Sequence, residues 1–266
     1  MDKPATSFLI QLAQQAGDLI NAQRQSLDIQ FKGEGATELV TQADIAADQF
    51  ITEQILQHFP HHQILSEELS PELSSENDHL WVVDPIDGTV NYAHGHRQVA
   101  VSIAYFYQGE VESAAVYNPF DNEMFSATLG QGAQLNSRPI QCAGKNELHR
   151  TIIATGFPYQ KNDLDKLTNR LHHILSHCAD IRRLGSAALD ICWVACGRLD
   201  GYYETVKAWD FAAAQLIARE AGAVFGHLYP PAENPQLNGN NILVANAGLY
   251  PQLQQLLINA DQELSA

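Results

Sequence analysis

Two carboxylates three residues apart, Asp84 and Asp87, sit in the segment Trp81-Val82-Val83-Asp84-Pro85-Ile86-Asp87-Gly88-Thr89-Val90-Asn91-Tyr92. The apolar run before them reads as a buried strand that delivers Asp84 to its end, where Pro85, with no N–H to donate, is expected to stop sheet pairing. A tight turn at that spacing aims both acids at one point, with the backbone amides of Gly88 and Thr89 beside them. Hard anionic ligands next to free amide donors suit a Mg²⁺ ion and a phosphate together. The plainer reading of D-P-x-D-G-T is a turn with no function. Against it, two acids directly after an apolar strand are costly unless something neutralises them.

Two other segments carry candidates for the same cluster. Glu67, in Ser66-Glu67-Glu68, follows the short apolar pair Ile64 and Leu65 and would place a third carboxylate at a strand end. Asp210, in Ala208-Trp209-Asp210-Phe211, stands where a helix begins. As an N-cap it would contribute about 1 kcal/mol; as a metal ligand it would be held on a rigid helix start. Glu220, near the end of that helix, reads as structural.

Elements must hold these residues in place. Phe8, Leu9, Leu12, Ala13, Ala16, Leu19 and Ile20 recur at helical spacing, predicting an amphipathic helix over residues 7–23. Residues 38–41 read as extended and lead to Asp44. A second helix then turns Ala47, Phe50, Ile51 and Ile55 inward and stops before Pro60. Strands are expected over 80–83, 99–107, 111–117, 124–128 and 134–141, with a hairpin at Gln108-Gly109. The second half alternates: strands over 151–155, 181–183, 201–204 and 242–245, helices over 164–177, 185–196, 210–221 and 249–259. The expected fold is therefore α/β (α+β layered), helix and sheet layers alternating in one domain over 1–266. Its subdomains would be approximately 1–145 and 146–266, with the seam near 142–150.

Bulk composition narrows the function. Asp plus Glu number 31 against 15 Lys plus Arg, a formal net charge of −16. Such a surface repels a nucleic-acid backbone, so no direct nucleic-acid contact is expected. An anionic substrate would need a local reversal of field, for which a metal is the natural agent. No stretch reaches the roughly 20 apolar residues of a membrane helix. The first residues lack a basic region followed by a continuous apolar one, so a cytoplasmic location is expected. The cysteines, Cys142, Cys178, Cys192 and Cys196, contain no C-x-x-C pair and read as buried thiols.

The segments SEE, DPIDGT-x-N and WDFAA, in this order, together with Leu39-Val40-Thr41-x-x-Asp44, Arg183-Leu184-Gly185-Ser186-Ala187-Ala188 and Tyr202-Tyr203-Glu204, resemble the inositol monophosphatase family from end to end. The resemblance implies an αβαβα sandwich and a lithium-sensitive phosphatase using two or three Mg²⁺ ions, neighbours about 4 Å apart. It implies that Glu67, Asp84, Asp87, Asp210 and the carbonyl of Ile86 ligate metal. Gly88 and Thr89 would bind phosphate through backbone N–H groups. Asp44 and Thr89 would orient and help deprotonate the attacking water; Glu67 counts with them as catalytic. Gly185, Ser186, Ala187 and Glu204 would line a polyol pocket, with Asp210 also on the substrate side. Hydrolysis would be in-line attack by metal-activated water, without a phosphoenzyme.

The implied substrates are myo-inositol monophosphates and related small polyol phosphates. Alternatives within the superfamily are 3′-phosphoadenosine 5′-phosphate, fructose-1,6-bisphosphate and histidinol phosphate. The resemblance further implies a homodimer and, as for some bacterial relatives, a regulatory role with the transcription machinery. The chain departs from the family pattern at Ser66, Tyr92 and Ala223. It is also one residue shorter between Glu204 and Asp210, which bears on substrate preference.

Other features read as non-catalytic. Gly33-Glu34-Gly35 lacks both a preceding buried strand and a third Gly, so it is expected to be a loop, with Lys32 in reach of phosphate. His173 and His177 have the i, i+4 spacing of zinc ligands but no H-E-x-x-H pattern, and read as a solvated helix face. His94 and His96 are expected at the mouth of the site.

Overall fold

The structure, a computed structural model, describes residues 3–24, 29–32, 38–72, 78–158, 163–231 and 234–264. Residues 33–35 lie outside them, as does the side chain of Lys32. In chain order the first half runs α1 (Thr6–Gln23), β1 (Ile29–Lys32), β2 (Glu38–Thr41), α2 (Gln42–His58), β3 (Gln63–Ser66), β4 (His79–Asp87), α3 (Thr89–Ala93), β5 (Ala100–Tyr107), β6 (Glu110–Asn118), β7 (Glu123–Thr128), β8 (Ala133–Leu135) and β9 (Arg138–Pro139). The second half runs β10 (Ile152–Thr155), α4 (Leu164–His177), β11 (Asp180–Arg182), α5 (Ala187–Ala195), β12 (Gly201–Glu204), α6 (Ala208–Glu220), β13 (Ala223–His227), β14 (Ile242–Asn246) and α7 (Tyr250–Glu263).

A seven-stranded sheet has the order β3-β4-β5-β6-β7-β8-β9, and a five-stranded sheet the order β11-β10-β12-β14-β13. In the larger sheet only β3 and β4 are parallel. Helices α1 and α2 cover one face of the large sheet, α5 and α6 lie between the sheets, and α4 and α7 close the outside of the smaller one. The result is a five-layered αβαβα sandwich. β4 shows why its sequence is continuously apolar: Leu80 and Val82 join the core under α5 and α6, while Trp81 and Val83 join the core under α1 and α2. A strand buried on both faces has no polar side to alternate.

Several sequence expectations are corrected. Pro85 interrupts β4 without ending it. Pairing with β5 is regular to Asp84↔Ser102, slips by one residue, and resumes at Asp87↔Ala100. That bulge lies between the two acids. The single strand expected over 134–141 is two short ones, broken where Asn136 and Ser137 take positive φ. β13 was not anticipated: Ala223-Val224-Phe225-Gly226-His227 is short and carries a Gly. α6 begins two residues earlier than expected, α5 two residues later, and α7 runs on to Glu263. Glu220 is structural as expected, accepting the N–H groups of Gly130 (2.8 Å) and Gly132 (2.7 Å).

Candidate metal and phosphate site

Parallel pairing of β3 with β4 sets Ser66 beside Val83, so Glu67 emerges next to Asp84, its N–H donating to the Val83 carbonyl at 3.3 Å. From the layer between the sheets, α6 brings Asp210. Asp210 is at the third position of its helix rather than the N-cap, and its Oδ2 accepts the Lys207 N–H at 2.7 Å. One oxygen from each of Asp84, Asp87 and Asp210 lies within 4.8 Å of the others, the group among the described residues able to hold a metal ion.

The electrostatics are those of an unneutralised cluster. Burial raises the Asp84 carboxyl well above its ordinary range, and Glu67, Asp87, Asp210 and Asp44 all add to the rise. Asp210 is likewise pushed up by burial and then by Asp87 and Glu67. Asp87 is pushed up to about 6 by burial, held back by hydrogen bonds from Ser186, Ala188 and Ala187. Its Oδ2 accepts the Ser186 hydroxyl at 2.5 Å and the Ala188 N–H at 2.8 Å, while Oδ1 faces the Ala187 N–H at 3.3 Å. Asp87 therefore stands at the start of α5, where orphan N–H groups favour an anion. Asp84 and Asp87 are buried and Asp210 is half-buried, and although Arg183 bears on Asp87, carboxylates this close suit a divalent cation, whose hard oxygen preference matches the donor set. The carbonyl of Ile86, also anticipated as a ligand, accepts the Thr89 hydroxyl at 3.1 Å.

Gly88 makes the turn after Asp87 with φ +94°, and an added Cβ there would lie 2.8 Å from the Gln98 carbonyl and 3.0 Å from that of Gly185. Gly185 has φ +90°, and a Cβ there would meet Arg183 and Asn91. Only glycine fits either position, so the two loops approach backbone to backbone. Asn91 ties them, donating to the carbonyls of Gln98 (2.8 Å) and Leu184 (2.7 Å). Beyond Gly88, the Thr89 hydroxyl also lies 3.1 Å from Asp44 Oδ1. Asp44 Oδ2 accepts the Thr41 N–H at 2.8 Å and its hydroxyl at 2.5 Å. Burial is the main cause that lifts Asp44 to about 6, against the hydrogen bonds from Thr41.

Glu204, on β12, is near enough to bear electrostatically on Asp210 and to feel Asp87. It lies over Gly156, where any Cβ would collide with its carboxylate, and accepts the Tyr202 hydroxyl at 2.5 Å. Burial is the main cause raising it to about 7. It borders a cleft of about 270 Å³ with Gly156, Phe157, Leu167 and Thr205. Gly185, Ser186 and Ala187 do not line that cleft; they lie on the Asp87 side. His94 and His96 are exposed. Sequence reasoning passed over Asp190 and Asp48, and took Tyr202 only as part of Tyr202-Tyr203-Glu204. Asp190 is buried on α5 with one oxygen unpaired, and Glu204 and Asp87 both bear on it. Its signal was an acid within the apolar run Ala187-Ala188-Leu189-Asp190-Ile191-Cys192. Tyr202's signal was its place two residues before Glu204 on the same strand face.

Five alternating layers, with carboxylates gathered where strand ends meet a helix start, define an α/β protein whose acidic group could hold a metal ion. The family model for the inositol monophosphatase family matches residues 1–266, and the chain belongs to that family. It is 38% identical over 265 residues to "Nus factor SuhB" of Escherichia coli (strain K12), covering 98% of this chain and 97% of that protein. Among solved structures, the extragenic suppressor protein suhB of Bartonella henselae superimposes with TM-score 0.85 at 34% identity, covering 94% of this chain and 96% of that one. The IMPase of Thermotoga maritima gives TM-score 0.85 at 29% identity, covering 97% and 98%. Among the described residues no helix is long and apolar enough to cross a membrane.

Proposed function

We propose that the protein is a Mg²⁺-dependent phosphomonoesterase acting on myo-inositol monophosphates and related small polyol phosphates. The observation that carries this reading is the close group of buried Asp84 and Asp87 with half-buried Asp210, whose mutual repulsion an external cation would relieve. In this reading Glu67, Asp84, Asp87, Asp210 and the Ile86 carbonyl hold two or three Mg²⁺ ions. Bound there, the metal would supply charge neutralisation on phosphate oxygens, an activated nucleophile at neutral pH and support for the departing alkoxide. Gly88 and Thr89 would hold a phosphate oxygen through N–H groups that the start of α3 leaves without helical partners. The Thr89 Oγ1–Asp44 pair would take the proton of the attacking water, Asp44 being a carboxylate whose affinity for protons has been raised toward neutrality. Glu204, fixed by Tyr202, would accept hydrogen bonds from ring hydroxyls.

The test is phosphate release from a panel of small phosphomonoesters with Mg²⁺ and with EDTA. Activity on none of them would remove the reading. A kcat/KM about tenfold higher for 3′-phosphoadenosine 5′-phosphate, fructose-1,6-bisphosphate or histidinol phosphate, some 1.4 kcal/mol of preference, would move the substrate assignment to that compound. Lithium sensitivity, a homodimer and a cytoplasmic setting belong to the same proposal.

A second reading rests on the name of the E. coli relative, a Nus factor. It gives this chain a partner in the transcription machinery. Asp87→Asn separates the two: a cellular phenotype rescued by a catalytically dead variant would make binding the main role.

A further inference from the structure

One turn of α2 beyond Asp44 lies a second buried acid, Asp48, fully shielded from solvent. Residues four apart on a helix share a face. Asp44 faces Thr41 and Thr89, whereas Asp48 faces the turn that carries Glu67. Its Oδ2 accepts the N–H of Glu68 at 3.0 Å and of Leu69 at 3.1 Å. Its Oδ1 accepts the Thr52 hydroxyl at 3.2 Å, and the Ser66 hydroxyl also bonds to the carboxylate. The turn is closed on itself by Ser66 N–H to the Ser70 carbonyl (2.9 Å) and Ser70 N–H to Ser66 Oγ (3.2 Å).

Glu67 is thus gripped from two directions. Its own N–H is bonded to Val83 on β4, and the two residues after it are bonded to α2. A buried carboxylate costs several kcal/mol unless fixed donors replace its water. Here those donors are the backbone of the turn bearing a candidate ligand. We propose that Asp48 is a positioning residue for the cation centre, holding Glu67 toward Asp84 and Asp210, so that α2 sets both the Asp44–Thr89 pair and the Glu67 turn from one rigid face. This rests on the reading of the acidic cluster as a divalent-cation site.

The test is Mn²⁺ binding to the metal-free protein, followed by calorimetry and by Mn²⁺ electron spin resonance, in the wild type, Asp48→Ala and Asp48→Asn. Residues supporting metal ligands typically cost about 10–100-fold when lost, so Asp48→Ala is expected to weaken Mn²⁺ binding roughly tenfold or more. Hydrogen exchange at the Glu68 and Leu69 amides should quicken, while substrate KM at saturating Mg²⁺ stays near the wild-type value. Asp48→Asn should restore most of the affinity, because its carboxamide oxygen can accept both amides while the Thr52 and Ser66 hydroxyls turn to accept from its NH₂. If Asp48→Ala does not fold, Asp48→Ser takes its place, its hydroxyl falling short of the turn. Wild-type Mn²⁺ affinity in Asp48→Ala, with or without a lower melting temperature, would overturn the proposal. Should the wild type bind Mn²⁺ and hydrolyse nothing, the phosphatase reading fails and the Asp48 comparison still decides its role. If the wild type binds no Mn²⁺, both fail.

Discussion

Two regions of this molecule bury carboxylates and treat them in opposite ways. On the outer layer, Asp261 of α7 receives Arg170 of α4 through Nε at 2.7 Å and Nη2 at 2.6 Å, with Lys166 and the Tyr229 hydroxyl alongside. There burial pushes upward and is outweighed, so the Asp261 carboxyl lies below its ordinary value. Between the sheets, Asp84 and Asp210 have mainly other acids for electrostatic company and rise well above theirs. The first arrangement is complete within the chain and holds two helices together. The second has far less counter-charge from the chain, Arg183 bearing on Asp87 alone among its three acids, and leaves room for a cation from outside the polypeptide. Burial of an acid alone therefore says little about function; what matters is whether the fold supplies its counter-charge.

The largest effect that sharpens this contrast is catalytic. Asp84→Asn should lower Mg²⁺-dependent phosphate release by more than about 100-fold, beyond the usual cost of losing an outer supporting group. Steady-state kinetics across a Mg²⁺ series reads it. The opposite region should respond in stability and not in metal dependence. Arg170→Ala strands part of a buried pair and should cost about 3 kcal/mol, the low end because Lys166 and Tyr229 remain on Asp261. Calorimetry should then show a melting temperature lower by roughly 6–12 °C, with the Mg²⁺ dependence of activity unchanged. If Arg170→Ala altered the Mg²⁺ dependence, the two regions would not be independent.

A smaller effect has a sign that distinguishes the regions. Removing one acid from the cluster relieves repulsion, so metal-free Asp84→Asn should melt above the metal-free wild type. With saturating Mg²⁺ the order should reverse. The pH dependence follows mainly from burial, with Asp87 adding to it. Glu204 has a folded value of about 7 against an ordinary 4.5, so between those values the native state binds more protons than the unfolded chain. Stability of the metal-free protein then falls as pH rises through that window. His62 opposes this at lower pH: burial holds it down to about 4, so its contribution grows as pH rises toward 6.5. Above about 6.5 the His62 effect is complete, and melting curves from pH 6.5 to 7.5 should show a decline without Mg²⁺ that saturating Mg²⁺ diminishes.

The smallest effect concerns orientation. Tyr202→Phe removes the hydroxyl that fixes Glu204 and should raise the KM for a polyol phosphate by a few-fold, on the order of 1 kcal/mol. The kcat and the Mg²⁺ dependence should hold.

Much of this was legible in the sequence because local chemistry dictated it. The helical spacing from Phe8 to Ile20, the run Leu80 to Val83 and the acids after it each point to one structure. The layered fold follows from the change of pattern between the halves. What stayed hidden depends on contacts between distant segments. Nothing near Asp87 reveals that Ser186 and Ala188, 99 and 101 residues onward, will hydrogen-bond to it. Asp48 carried no signal in the sequence, because the turn it holds lies 20 and 21 residues away. The bulge at Pro85 needed the partner strand, since only pairing with Ser102 and Ala100 shows the strand resuming.

The most direct test of the central claim follows phosphate released from myo-inositol 1-phosphate by wild type and Asp84→Asn, from EDTA to saturating Mg²⁺. The account predicts wild-type activity that is absent in EDTA and rises to saturation, with Asp84→Asn remaining near the EDTA level throughout. Equal wild-type rates with and without Mg²⁺, or an Asp84→Asn curve that saturates like the wild type, would contradict it.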